Sequence, residues 1–162
     1  MEPVPKEIAE LAILDRFITA YHKRFGIKLI NVLHRDKPDF EVTNPKTVKR
    51  LGIEVTGTYQ NEEEAKIQYG SVQNWDIFVG SGEELITSLN SRLKDKAQKS
   101  KSYKFDGQIF LAIWLGSLVF NQKMDVDFIR HRINIPENDF SEIWLIIQSE
   151  EGTPELYPLQ VG

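Results

Sequence analysis

Apolar residues recur at helical spacing near the start of the chain. Ile8, Leu11, Leu14, Phe17, Ile18 and Tyr21 share one side of a helix predicted over residues 5–25, with Gly26 as its stop. Glu7 and Glu10 project close to that apolar side. The period then shortens to that of a strand. Ile27 to Leu33 reads as a strand, and two short runs follow in which an acid alternates with apolar residues: Lys37-Pro38-Asp39-Phe40-Glu41-Val42 and Leu51-Gly52-Ile53-Glu54-Val55-Thr56-Gly57. Alternation sends Phe40 and Val42 to one face and Asp39 to the other; Ile53 and Val55 do the same for Glu54, whose face Thr56 shares. If the runs pair across the turn at 43–47, Asp39 and Glu54 converge on one point, although the residues themselves leave the register open.

A second helix is predicted from about Gly82 to Lys101, capped by Ser81, with Leu85, Ile86, Leu89, Leu93 and Ala97 as its stripe. At about 100° per residue, Lys96 falls inside this stripe, Arg92 and Lys99 flank it, and Lys94 and Lys101 point away. Gln108 to Leu115 reads as a buried strand and Asp125 to Arg132 as a short helix. Phe140 to Gln148 and Glu155 to Leu159 form a closing hairpin around Glu151-Gly152-Thr153-Pro154. Between the strong elements, Glu62-Glu63-Glu64 suggests a solvated turn or short helix and Trp75 to Val79 a short strand. No repeat or linker divides the chain. The expectation is a single domain over residues 1–162, α+β or mixed α/β, with a mixed central sheet flanked by helices.

Composition narrows the chemistry. The absence of cysteine excludes disulfides and cysteine-based zinc sites and fits a reducing compartment. No run is long and apolar enough to span a bilayer, and Met1-Glu2-Pro3 lacks the features of a signal peptide, so a cytoplasmic protein with no membrane partner is expected. His22, His34 and His131 share no ligand spacing. A formal net charge of −4 offers no global attraction to a polyanion, so nucleic-acid binding requires a local basic surface. Arg92, Lys94, Lys96, Lys99, Lys101 and Lys104, set against the single acid Asp95, supply one candidate.

Each candidate has a structural and a chemical reading. Asp39 and Glu54 suit the solvent face of an exposed hairpin; equally, two close carboxylates beside a main-chain carbonyl such as that of Val55 suit Mg²⁺, which binds one or two carboxylates and keeps several waters. Lys96 either snorkels, its stem covering apolar surface, or reaches a site where its charge stabilises a phosphorane-like transition state. The basic run is a solvated helix face or a phosphate-binding one. His34-Arg35-Asp36 matches the start of a kinase catalytic loop, but Glu41 stands where the loop needs Asn and no Gly-rich phosphate loop precedes it.

Pro38-Asp39-Phe40 followed by Gly52-Ile53-Glu54-Val55-Thr56 resembles the PD-(D/E)XK nuclease superfamily, in the branch whose second motif ends in threonine. The resemblance implies a restriction-endonuclease-like core and places Asp39 and Glu54 as holders of Mg²⁺ or Mn²⁺. The Val55 carbonyl and an acid of the first helix, Glu7 or more specifically Glu10, would complete the metal site. Thr56 occupies the position of the family's lysine and is expected to hydrogen-bond nearby. In some members a lysine from the following helix replaces the missing one, which points to Lys96, with Lys99 as the second candidate. The strand from Phe140 to Leu145 is similar to a family ending. The implied activity is Mg²⁺-dependent hydrolysis of DNA phosphodiester bonds, with RNA as a second substrate class and Arg92, Lys94, Lys99, Lys101 and Lys104 on the backbone. Cleavage of both strands would suit a homodimer. The competing expectation is a catalytically inactive nuclease-fold module that binds nucleic acid or protein; Thr56 at the lysine position favours it.

Overall fold

A computed structural model describes residues 6–58, 82–116, 126–127 and 130–161. Helix α1 (Lys6–Phe25) leads into strands β1 (Ile30–His34), β2 (Phe40–Asn44) and β3 (Lys49–Thr58). Helix α2 (Gly82–Ser100) and strand β4 (Gln108–Leu115) follow, then a 3₁₀ turn at Arg130–Arg132 and the hairpin β5 (Glu142–Gln148) and β6 (Pro154–Gln160). The strands form one six-stranded mixed sheet in sequence order. β2 pairs antiparallel with both β1 and β3, β3, β4 and β5 run parallel, and β6 turns back antiparallel to β5. The fold is therefore mixed α/β, a β-meander joined through α2 to a parallel centre.

Alternation along each strand sorts the core into a layer on either face of the sheet. Phe40 and Val42 of β2, Leu51, Ile53 and Val55 of β3, and Phe110, Ala112 and Trp114 of β4 pack with Leu14, Phe17 and Tyr21 of α1. Ile109, Leu111, Ile113 and Leu115 of β4 and Ile143, Leu145 and Ile147 of β5 pack with Leu85, Leu89 and Leu93 of α2. β4 and β5 are thus apolar on both faces, as strands covered on both sides must be. β2 and β3 are apolar on the α1 face alone. Their opposite face carries Glu41, Gly52, Glu54 and Thr56, all buried. The polar chemistry of the chain is gathered where α2 crosses this half of the sheet.

Several boundaries move from their sequence-based positions. The first helix ends where predicted: Gly26 adopts φ +69° and its N–H donates to the His22 carbonyl at 2.9 Å. Its first turns, however, leave Ile8 and Leu11 exposed, while Ile13 and Ala20 are buried. The buried stripe is rotated and confined to the later turns because the strands lie beneath those turns. The strand expected at 27–33 begins at Ile30 and extends to His34, and every residue in it is exposed, as befits an edge. β5 begins at Glu142 rather than Phe140, since Asn138 caps the preceding bend by accepting from the Phe140 N–H at 2.9 Å. Of the helix expected at 125–132, Val126 and Asp127 are helical and Arg130–Arg132 form a 3₁₀ turn; the other residues lie outside those described. The segments expected at 62–64 and 75–79, and the Ser81 cap, lie outside the described residues. Among the described residues no helix is long and apolar enough to cross a membrane.

Gly52 fixes how closely the loop before β2 approaches the sheet. A Cβ at this position would lie 2.7 Å from Pro38 Cγ and 3.3 Å from both Phe105 Cδ2 and Ile109 Cγ1. The Pro38 ring is therefore seated directly on the β3 backbone, one residue before Asp39. Gly52→Ala should displace that ring and cost about 1–3 kcal/mol, the usual penalty of overpacking. Chemical denaturation of the parent and the variant should show a lower midpoint with an unchanged slope.

Candidate active site

β2 and β3 pair with Phe40 opposite Ile53, which brings Asp39 opposite Glu54 at the mouth of the hairpin. The loop before β2 is closed by the Arg35 N–H donating to the Asp39 carbonyl at 2.8 Å. The two acids then hold each other through the backbone. The Asp39 N–H donates to Glu54 Oε1 at 3.0 Å, and the Val55 N–H donates to Asp39 Oδ2 at 3.0 Å. Each carboxylate is oriented by a main-chain donor of the opposing segment, so the pair is built into the strand register itself.

Two side chains from beyond the hairpin complete the arrangement. The Lys96 ammonium lies 2.7 Å from Glu54 Oε2. The Tyr103 hydroxyl donates to the same oxygen at 2.5 Å. Lys96 reaches in because it lies one residue before Ala97 on the buried stripe of α2, and its side chain is only 15% exposed. Tyr103 follows the helix end: the Tyr103 N–H donates to the Ser100 carbonyl at 3.3 Å, and its ring meets Phe140 edge-on. Glu54 is 4% exposed. An isolated carboxylate at such a site would be costly; one ammonium and two neutral donors make it tolerable.

Electrostatics sets the character of the site. Burial pushes the Glu54 carboxyl above its ordinary value of 4.5; Lys96 opposes this and the Asp39 charge adds to it. Asp39 is also raised above 3.8, chiefly by burial, with the Val55 N–H pulling down and the Glu10 carboxylate pushing up. Tyr103 is held well above its ordinary range by burial and by its bond to Glu54, so it remains a neutral donor. Negative charge from Asp39, Glu54 and Glu10 thus collects around a single ammonium.

The other residues singled out in the sequence fall into distinct places. Thr56 is buried two residues beyond Glu54 on the same face of β3. Lys99 is exposed and pairs with Asp95 at 3.2 Å one helical turn away, so it is directed along α2 and not toward the carboxylates. Arg92, Lys94, Lys101 and Lys104 are exposed. Glu7 is exposed, whereas Glu10 is half-buried and couples to Asp39. Among the described residues no group of three or more His, Cys, Asp or Glu side chains is arranged to hold a metal ion. Protein ligation of an ion here would therefore rest on the Asp39 and Glu54 pair. Tyr103 was not marked out by the sequence as a member of the site; its position just past a lysine-rich helix end gives no periodic signal, and only the chain path brings it to Glu54.

No family model matches this chain, and searches of curated proteins and of solved structures find no significant match.

The raised carboxyls have a thermodynamic consequence. Between their ordinary and raised values the folded state holds more protons than the unfolded state, so stability falls as pH rises through that window. Lys96→Met keeps the packing of the stem but strands a buried charge, and should destabilise the fold by on the order of 3 kcal/mol at about pH 8. Without its ammonium partner Glu54 is raised further, so the loss should shrink as the pH is lowered and Glu54 takes up a proton. Asp39→Asn removes one of the repelling charges while keeping an acceptor for the Val55 N–H, and should make the ligand-free protein more stable at neutral pH. Urea titrations across this pH range measure both effects.

Proposed function

We propose that this chain is a metal-dependent nuclease of the PD-(D/E)XK type that hydrolyses DNA phosphodiester bonds. The observation that carries this reading is the meeting of Asp39 and Glu54 across the β2–β3 register with the Lys96 ammonium 2.7 Å from Glu54. Such a group pairs hard oxygen ligands with a cation at the position where a scissile phosphate would develop charge. Thr56 stands where the motif lysine would be, and Lys96 delivers an ammonium to the same carboxylate from α2.

The residues suit a small divalent cation. Two carboxylates suffice for Mg²⁺ or Mn²⁺, with waters completing the coordination, and the charge that crowds Asp39 and Glu54 upward from their ordinary pKa values is what a cation would relieve. Asp39, Glu54 and the Val55 carbonyl would hold it, with Glu10 near enough to Asp39 to add charge. The ion would supply Lewis-acid polarisation of a phosphoryl oxygen and activation of water.

The protein's own groups supply the rest. Lys96 stabilises the negative charge that builds on the phosphate and orients the attacking water. Tyr103 donates to Glu54 and fixes its carboxylate plane. Asp39 is held by the Val55 N–H and couples to Glu10 of α1. The exposed basic residues Arg92, Lys94, Lys101 and Lys104 on and beyond α2 would meet backbone phosphates by charge alone.

Plasmid and oligonucleotide cleavage in Mg²⁺ or Mn²⁺ tests this reading. Asp39→Ala and Glu54→Ala should each abolish cleavage, and Lys96→Ala should slow it by roughly 10²- to 10³-fold, the usual effect of losing one transition-state donor. RNA oligonucleotides in the same assay decide the substrate class. A folded parent that binds DNA and cuts nothing in either metal would replace this reading with that of a non-catalytic binding module.

A further inference from the structure

A second polar group occupies the same face of the sheet one row from the carboxylates. Glu41 is two residues from Asp39 on β2 and opposite Gly52 of β3, which is itself two residues from Glu54. Same-face rows of a strand are roughly 7 Å apart, on the scale of the step between neighbouring phosphates of one nucleic-acid strand. The Glu41 carboxylate is buried, and its Oε1 accepts from both Arg35 Nη1 at 3.3 Å and Arg50 Nη1 at 3.2 Å. Two guanidiniums against one carboxylate leave one positive charge uncompensated.

These arginines are also fixed in direction. Their guanidiniums stand over the Phe105 ring at 4.9 Å for Arg35 and 5.7 Å for Arg50, and Arg35 Nη2 donates to the Lys104 carbonyl at 3.3 Å. Phe105 in turn rests on Gly52. Arg50 remains 53% exposed and Arg35 31% exposed. A guanidinium has five N–H donors in a fixed plane, and the contacts named use only one or two on each. The remaining donors are left for a ligand, in a neighbourhood where exposed Lys37, Lys49 and Lys104 outnumber the exposed acids Asp36 and Asp106.

We infer that the Arg35–Glu41–Arg50 group on Phe105 is a phosphate clamp that binds the DNA backbone at the phosphate next to the one over Asp39 and Glu54. This inference deepens the nuclease reading and rests on it for the placement of the scissile phosphate. Glu41 is the anchor that holds the two forks together, Phe105 is the platform, and the free N–H groups take a phosphate in bidentate fashion. Arg35 and Arg50 act as positioning residues, setting the register of the strand across the carboxylates.

The test is fluorescence anisotropy of a short fluorescein-labelled DNA duplex, measured against salt in EDTA and again in Ca²⁺. Arg50→Gln should weaken binding roughly tenfold and reduce the slope of log affinity against log salt by about 1, one phosphate contact's worth. Arg50→Lys keeps a charge for Glu41 and serves if the glutamine variant fails to fold; loss of the fork should still weaken binding. Lys46→Gln, in the exposed turn of the same hairpin, controls for charge alone. An unchanged affinity and slope in folded Arg50 variants would overturn the clamp, as would an equal loss in Lys46→Gln. Binding that needs Arg50 in a protein that cuts no DNA would keep the clamp and remove the hydrolytic reading. Cleavage that needs Asp39 but not Arg50 would do the reverse, and a parent that binds no DNA would overturn both.

Discussion

The Glu54 carboxylate joins the separate parts of this protein at one point. Its Oε1 takes the Asp39 N–H and its Oε2 takes both the Lys96 ammonium and the Tyr103 hydroxyl. These donors come from the loop before β2, the C-terminal part of α2 and the segment after it. A carboxylate this deeply buried cannot be left short of donors, because each missing bond carries the full cost of desolvation. The hairpin, the helix and the following segment are therefore constrained together by one charged group. The same constraint keeps the helix close to a face of β3 that carries no apolar side chain to attract it.

The sheet shows why such a group is tolerated only on one half. β4 and β5 alternate apolar residues into both layers, and α2 packs against them through Leu85, Leu89 and Leu93. That packing fixes the helix, and its continuation then meets the polar face of β3 through the Lys96–Glu54 contact. The apolar half supplies the rigidity and the polar half the chemistry. Raised pKa values at Asp39 and Glu54 follow from this division: the carboxylates are shielded from water by a helix held in place elsewhere. The strain of crowded charge is offset by core burial on the other side of the same strands, where Phe40, Val42, Ile53 and Val55 are 2% exposed or less.

Period and punctuation made much of this legible in the sequence. Strict alternation in 37–42 and 51–57 marked the faces of both acids, and β4 was readable end to end as a continuous apolar run. The helical stripe through Leu85, Leu89 and Leu93 carried enough information to turn Lys96 inward and Lys94 outward. What the residues could not convey is what depends on tertiary neighbours. Ile8 and Leu11 continue the pattern of α1 but project past the sheet, so periodicity alone overstates their burial. Lys99 sits close to the stripe, yet Asp95 one turn back captures it. Tyr103 and Phe105 lie in a short segment with no period at all. Their positions depend on where α2 ends and on how closely Gly52 lets the chain approach.

The same local logic reconciles an acidic chain with the polyanionic substrate proposed for it. A net charge of −4 is a sum over the whole surface, whereas association depends on the field near the binding face, where interactions beyond roughly 8–10 Å are screened at ordinary ionic strength. Among the described residues Arg35 and Arg50 keep partly exposed guanidiniums one row from the carboxylates, and Lys96 reaches Glu54 from α2. Glu41 does not cancel this field; one carboxylate shared by two guanidiniums lowers the local charge but orders the donors that remain. In the proposed reading the acids at the centre would repel a phosphate until a cation is present, while the arginines would attract the strand in its absence. That reading assigns approach and chemistry to different residues of one sheet face, separated by a single row.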